Sequence, residues 1–436
     1  MWSEIVEYLK DASLVAEIQK AFGVKIHHKR NFKEHYEENS VNETREITSS
    51  VFEHDLTSCT RESGESKENG HVPFLRKSIN AAGTSASNDE QEELLSVSND
   101  SNYTITNYFW YYLFLFGTQL GDEIFYSTFI PFWFWNIDGA VGRRVVLVWA
   151  ITITTGQILK DIIRWPRPAC PPAIRLQSKW SEEYGMPSTH AMIGVSIPFS
   201  VVLFTMNRYI YPFSIGWMIA FLWCTLVCMS RLYLGMHTVL DILAGLILAI
   251  ALMIPLIPLV DITDYYFISN FWALATLIAI SIVVIVYYPT SNRWTPTRGD
   301  TSMVVSVTTG VHVGAWLNYK TGAMITPTKV PPYHIVWPSY AMLDCLILRT
   351  ILGFCSILVT RAVCKSVSYG AMCAILKINA RDLMKSQNYS ENKNKVLVDL
   401  VYKYLTCFMI GLNTVYLLPN IFTMIGIERP TFYTEI

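Results

Sequence analysis

The chain has 436 residues, of which 51% are apolar and only 16% charged, with a formal net charge of −1. Soluble domains carry roughly a quarter charged residues, so a water-soluble globule is excluded. Without a dense basic tract, nucleic acid is excluded as a partner. None of the nine cysteines forms a paired CxxC zinc pattern, and Cys224, Cys228, Cys345, Cys355 and Cys407 lie in apolar runs as small buried hydrophobes.

In chain order, residues 1–106 form a tail rich in Ser, Glu, Asn and Lys, expected to be mostly disordered because it has too little apolar surface to offset ordering entropy. Near its start Trp2, Ile5, Val6 and Leu9, then Leu14, Ile18 and Phe22, approximate a helical stripe. That stripe suits a membrane surface, the rest of the protein, or a fraying helix equally. His27-His28 beside Lys29-Arg30 reads as a solvated basic patch, not a metal site. No basic-then-apolar start of the signal-peptide kind is present, so the first span is expected to direct insertion.

From Tyr108 onward apolar elements fall near 107–137, 145–162, 190–207, 211–229, 238–259, 267–288, 302–317, 339–362 and 401–426. Most suit a ~30 Å hydrocarbon layer at ~1.5 Å per residue, and Trp133, Trp135, Tyr287 and Tyr288 suit its water boundary. A transmembrane core is expected over 107–288 and an additional C-terminal transmembrane region over 289–436. The first element holds Gly117, Gly121, Asp122 and Glu123 near its middle, so it is either two short passes or one tilted helix. Between 363 and 400 the chain turns polar, and its later part reads as an exposed loop.

Three polar runs interrupt this pattern: Lys160 to Pro168, Pro187-Ser188-Thr189-His190, and Ser230-Arg231 with His237 and Asp241. Parity of the spans brings all three to one face. His237 and Asp241, four apart at the start of a span, are expected to share one side of a helix. Ionisable groups this near lipid are costly unless they line a polar cavity. Taken singly, each has a bland reading as a snorkelling cation or a packed histidine; together, in register, they indicate a site. Asp300, His312 and Arg349 are further polar groups near spans, Arg349 being read as paired or snorkelling.

A phosphate monoester needs forked and point cations on its nonbridging oxygens, roles that suit Arg167, Arg231 and Lys160. Ser188 and Thr189 open a helix, where free backbone N–H groups cradle an anion. No carboxylate cluster suggests two metals, so no metal or other cofactor is expected and side-chain nucleophilic catalysis is. His237 is the candidate nucleophile, Asp241 the acceptor for its other ring nitrogen, and His190 the general acid. Neutral His237 and protonated His190 predict a bell-shaped rate profile with pH.

These residues resemble the lipid phosphatase and phosphotransferase superfamily of type 2 phosphatidic acid phosphatases: Lys160, then Arg167-Pro168, then Pro187-Ser188-x-His190, then Ser230-Arg231, His237 and Asp241, all within roughly 145–250. Thr189 stands where many members carry Gly, which keeps the backbone donor but disfavours positive φ. Within the superfamily the runs look most like phosphatases of sphingoid base 1-phosphates. The resemblance implies an all-α polytopic membrane bundle with a six-helix phosphatase-type core and additional C-terminal spans. It also implies metal-free hydrolysis of long-chain sphingoid base phosphates in the endoplasmic reticulum membrane, with a lipid phosphate and the bilayer as partners. Competing readings are another lipid or isoprenoid phosphate phosphatase, or a noncatalytic transporter or lipid-binding relative.

Arg143, Arg144 and Arg208 lie opposite the site, so if basic loops mark the cytosol the site faces the lumen. A cytosolic tail then requires two crossings in 107–137. A single crossing places the tail in the lumen and exposes Asn42, Asn99 and Asn102 as glycosylation acceptors.

Overall fold

The computed structural model describes residues 2–26, 103–177, 179–289, 295–325, 330–378 and 393–435. The basic patch at His27–Arg30, the acceptors Asn42, Asn99 and Asn102, most of the polar tail and, of the loop expected in the later part of 363–400, residues 379–392 lie outside the described residues.

Two short helices, α1 (Trp2–Lys10) and α2 (Ala12–Ala21), open the chain. Asp11 starts α2 by accepting the Ser13 N–H at 2.9 Å, the capping role that short acceptor side chains perform. The face that α2 buries is Ala12, Val15 and Gln19, a row offset from the Leu14 and Ile18 stripe because a glutamine is satisfied inside. Residues 24–106 form a separate unit, in which β1 (Val24–Ile26) pairs antiparallel with β2 (Tyr103–Ile105), Val24 opposite Ile105.

The region expected at 107–137 is a broken span. Helix α3 (Tyr108–Gln119) and helix α4 (Glu123–Asn136) meet at Leu120–Asp122. Phe114 packs on Tyr233, and Gly117 lies so close to Leu226 that an added Cβ would sit 2.9 Å away. So α3 descends from the mouth of the bundle to pocket depth. Helix α4 then runs on to the other end, where Asn136 accepts from Arg349 at 3.1 Å. The two helices are ~18 and ~21 Å long at 1.5 Å per residue, each short of a ~30 Å layer, and together they make one crossing. Irregular backbone at this depth is tolerated only where protein or a polar cavity surrounds it.

Among the described residues, seven further helical segments alternate between the two ends: α5 (Gly139–Ile163), α6 (Thr189–Thr205), α7 (Phe213–Tyr233), α8 (Val239–Ser269), α9 (Phe271–Val286), α10 (Thr297–Lys320) and α11 (Tyr340–Ile375). A last one, α12 (Lys393–Leu412), continues through a π-helical turn at Asn413–Leu417 into α13 (Leu418–Ile425). Helix α11 runs 13 residues beyond the expected end at 362, because Cys373 packs on Val398 and Lys365 lies 5.8 Å over the Tyr402 ring. Its exposed Lys365 and Ser366 therefore lie on a helix, while Ser368 is buried; of the loop expected in the later part of 363–400, residues 393–400 are helical instead.

Among the described residues, five helices, Gly139–Ile163, Phe213–Tyr233, Val239–Ser269, Tyr340–Ile375 and Asn394–Ile425, are long and apolar enough to cross a membrane. Their outer faces are apolar, as at Phe221, Leu222, Ile247, Ile254, Leu358 and Val359, while Lys160, Arg231, Asp241 and Asp264 are buried. This inside-out distribution is that of a multi-pass membrane protein. One core joins Val145, Val148 and Trp149 to Met192, Ile197 and Met253, and a second gathers Phe134, Trp135, Val311, Val415 and Phe422. Since lipid gives helices no hydrophobic reason to associate, close packing at small residues carries the contact. Gly310 of α10 abuts the Phe408 backbone and Gly411 abuts Val307. The helices after 289 share this interior: Thr297 and Tyr288 both donate to Asp161 of α5, Tyr288 at 2.9 Å.

The end away from the mouth is locked by charge. Asp138 accepts from Arg208 at 2.5 Å and from Tyr209 at 2.6 Å. Buried Arg143 pairs with Asp264 at 3.1 Å, Arg429 pairs with Glu435, and Arg349 is held by Asn136 and the Ile427 carbonyl. Here β3 (Tyr209–Ile210) lies parallel to β4 (Tyr333–His334). His312 is a packed residue, bonded to the Thr308 carbonyl and edge-on to Phe267.

Candidate active site

Lys160 stands in the last turn of α5, Ser188 caps α6, Arg231 lies in the last turn of α7, and His237 and Asp241 flank the start of α8. Lys160, Arg167, Ser188, Thr189, His190, Arg231, His237 and Asp241, expected from the sequence, come together at this one end. Arg164 does not join them: it ends α5 in a left-handed conformation (φ 55°), is exposed, and bonds the Asp161 carbonyl.

The loop that carries His237 differs from the continuous helix expected there. His237 precedes α8, whose cap is Thr238. The Asp241 carboxylate accepts the Thr238 N–H at 2.8 Å, while Thr238 Oγ1 accepts the Asp241 N–H at 3.2 Å, a reciprocal capping box. That box folds the loop so that His237 Nδ1 sits 3.6 Å from Asp241 Oδ2, an ionic approach longer than a hydrogen bond. The expected His–Asp hydrogen bond is therefore not formed in this state. The other ring nitrogen, Nε2, lies 3.4 Å from Arg167 Nη1, which donates to the Met236 carbonyl at 2.7 Å.

Burial, and after it the charges of Arg167, Arg231 and Lys160, hold the His237 imidazole well below the ordinary histidine range. A lowered value keeps the ring neutral and nucleophilic as pH falls. The acid limb of a kcat/KM profile, which reports groups of the free enzyme, is therefore expected below the usual histidine value of about 6.5 where this group controls it, measured with substrate well below KM. An acid limb above that value contradicts the assignment.

The cation nest is built from three elements. Lys160 Nζ is buried and donates to Thr189 Oγ1 at 3.1 Å and to Glu183 Oε2 at 2.5 Å. Arg231, fully buried, donates through Nη1 to Thr118 Oγ1 at 2.6 Å and Gln177 Oε1 at 3.2 Å, leaving Nε and Nη2 without partners. Arg167 binds the Glu183 carbonyl through Nε, and its Nη2 is likewise unpartnered. Buried donors without acceptors are costly, and three forked nitrogens converging here fit an oxyanion. Ser188 accepts the Ala191 N–H, while its own N–H reaches the Asp241 carbonyl at 3.0 Å. The remaining first-turn donors of α6 belong to Thr189 and His190. His190 Nε2 is buried and unpartnered, beside the break between α3 and α4, where a Cβ on Gly121 would lie 3.1 Å from His190 Cδ2.

Several members of this site escaped sequence reasoning. Thr118 lies in an apolar run, and its only signal was a hydroxyl between Gly117 and Gly121. Asp122 takes Lys179 at 3.1 Å. Glu183 lies between two of the polar runs, in a stretch the motif spacing passes over. Gln19 carried no signal, yet it donates to the Ile174 and Tyr233 carbonyls at 2.6 and 2.8 Å and accepts the Ile174 N–H at 2.9 Å. It ties the loop bearing Arg167 to the turn before His237. Gly185 is required by space, since its Cβ would lie 2.9 Å from the Pro166 carbonyl oxygen. Among the described residues, no group of three or more His, Cys, Asp or Glu side chains gathers to hold a metal ion.

A helical membrane bundle with two histidines and a buried cation nest at one mouth is built for an anionic lipid-side substrate, and residues 142–263 match the PAP2 superfamily. Sphingosine-1-phosphate phosphatase 1 of Rattus norvegicus is 37% identical over 345 residues, covering 78% of this chain and 76% of that protein. Sphingosine-1-phosphate phosphatase 2 of Mus musculus is 36% identical over 76% of this chain and 92% of its own length. A dihydrosphingosine 1-phosphate phosphatase of Schizosaccharomyces pombe is 24% identical over 64% of this chain. The chain belongs to the sphingosine-1-phosphate phosphatase family within the PAP2 superfamily. No solved structure matches it.

Proposed function

We propose that this protein hydrolyses long-chain sphingoid base 1-phosphates, sphingosine 1-phosphate and dihydrosphingosine 1-phosphate, to the free base and phosphate. The observation that carries the reading is His237 Nε2 facing Arg167 at 3.4 Å beside unpartnered nitrogens of Arg167 and Arg231. The relatives' printed substrates supply the lipid class.

In this reading the phosphate dianion settles on Lys160, Arg167, Arg231 and the first turn of α6. His237 Nε2 attacks phosphorus, the ester P–O bond breaks, and His190 gives its proton to the departing sphingoid alkoxide. Asp241, 3.6 Å from Nδ1, closes on the imidazolium character that develops as the P–N bond forms. His190, now neutral, takes a proton from water as that water attacks the phosphohistidine, which releases phosphate and restores both rings. Among three cations, a proton on His190 is favoured by the incoming dianion, so the acid is armed by substrate itself.

The test is turnover by the purified full chain in excess chelator, across sphingosine 1-phosphate, phosphatidic acid, dolichyl phosphate and glucose 6-phosphate. The highest kcat/KM is expected for sphingosine 1-phosphate, with no effect of the chelator. Preference for another lipid reassigns the substrate, and strong metal dependence overturns the histidine mechanism.

Arg143, Arg144, Arg208 and Arg429 gather at the end opposite the site, which by the charge rule is cytosolic. The site then faces the lumen, here assigned to the endoplasmic reticulum. Helix α2 reaches the mouth through Gln19 and 107–137 makes one crossing that starts there, so in this reading both segments lie at the lumenal end. Deglycosylation of membrane-expressed protein is expected to shift its gel mobility through Asn42, Asn99 or Asn102; no shift, with a control glycoprotein responding, reverses this orientation.

A further inference from the structure

The phosphate nest already contains an anion of the protein's own. Glu183 Oε2 is 2.5 Å from Lys160 Nζ and 4.0 Å from Arg167 Nη2, with the three side chains 8%, 1% and 4% exposed. The main chain of the same residue accepts Arg167 Nε at 2.9 Å, and its N–H turns back to the Trp180 carbonyl. We propose that the Glu183 carboxylate is a displaceable stand-in for substrate phosphate, holding Lys160 and Arg167 in place until a phosphate monoester dianion exchanges for it. This deepens the phosphatase reading above and rests on it.

Three cations, Lys160, Arg167 and Arg231, face an interior of low polarity, where unpaired charge is strongly disfavoured. One carboxylate hydrogen-bonds Lys160 and offsets the charge of Arg167 from 4.0 Å, leaving Arg167 Nη2 and Arg231 Nε and Nη2 without hydrogen-bond partners. A phosphate dianion seated on all three cannot share Lys160 with Glu183 at hydrogen-bond distance, because the carboxylate and phosphate oxygens would meet as like charges in a poorly screened site. One anion must leave. The exchange selects its ligand: a dianion with three nonbridging oxygens reaches all three cations, whereas a monoanionic diester offers little over the carboxylate it must expel. The loop anchors at Gly185, whose N–H reaches the Trp165 carbonyl at 2.7 Å, and at Glu183 itself through its carbonyl, so the side chain can turn while the backbone keeps Arg167.

The test compares Glu183→Gln and Glu183→Ala with the wild-type chain, using inorganic phosphate as competitive inhibitor and sphingosine 1-phosphate as substrate. A self-bound site lowers apparent affinity by the fraction that is open, so removing the carboxylate is expected to tighten inhibition by phosphate about tenfold and to lower KM for the substrate. A purely structural partner of Lys160 gives the opposite pattern, weaker phosphate inhibition together with lower kcat, and that result, or an unchanged inhibition constant, overturns the proposal. Where the variants do not fold, carboxyl labelling of the wild type with a carbodiimide and an amine decides: orthovanadate should raise labelling at Glu183, 8% exposed when it pairs with Lys160, and protection or no change there counts against displacement. Failure of the wild type to turn over sphingosine 1-phosphate would instead sink the phosphatase reading itself.

Discussion

His237→Ala should abolish turnover of sphingosine 1-phosphate, by at least about 10⁴-fold in kcat, the scale at which loss of a covalent nucleophile leaves only binding and electrostatic stabilisation. The substitution removes a side chain that is 1% exposed. Its neighbours, however, are anchored independently: Arg167 by the Met236 and Glu183 carbonyls, and Thr238 with Asp241 by their capping box. Inorganic phosphate should therefore still bind and still protect the variant against thermal unfolding. Rapid acid-free quenching with labelled substrate should capture a phosphohistidine at residue 237 in the wild type and none in the variant. Turnover within tenfold of wild type, or label on another residue, would remove the mechanism and leave the noncatalytic lipid-binding alternative standing.

His190→Ala should cost about 10²–10⁴-fold, the usual contribution of a positioned general acid–base group, and the loss should depend on what departs. A sphingoid alkoxide needs a proton as the ester bond breaks, whereas p-nitrophenolate leaves unaided. The variant is thus expected to retain several-fold more of its p-nitrophenyl phosphate activity than of its sphingosine 1-phosphate activity in the first step, and to accumulate phosphohistidine because its second step lacks a base. Equal losses on both substrates with no accumulated intermediate would demote His190 to a packing residue beside Trp180, its edge-on neighbour at 6.1 Å.

The two histidines also show what a linear reading reaches. Their order, their positions at span ends and the parity of the intervening crossings were enough to place Lys160, Ser188, Arg231 and His237 at one end. Side-chain registration within that end was not accessible. The spacing of His237 and Asp241 suggested stacking on a helix, but the helix begins two residues after His237. Its cap turns the Asp241 carboxylate toward the Thr238 N–H at 2.8 Å, in preference to the imidazole. The helix end expected near 362 falls short of Ile375 because exposed Lys365 and Ser366 look alike on a helix and in a loop until Val398 packs on Cys373.

Composition and periodicity alone determined that the chain crosses a membrane repeatedly, because ~20-residue apolar runs admit few other fates. The clustering of ionisable residues at span ends determined which end is polar, since charge beside lipid is tolerated only around a cavity. Tertiary structure alone decided that Thr118 reaches Arg231 from a broken span, that Gln19 crosses 155 residues of sequence to bind Ile174, and that Glu183 sits among the phosphate cations. The reason is the same in each case. Hydrophobic pattern reports which residues leave water, whereas the partner of a buried polar atom is set by three-dimensional proximity, and no one-dimensional spacing encodes it.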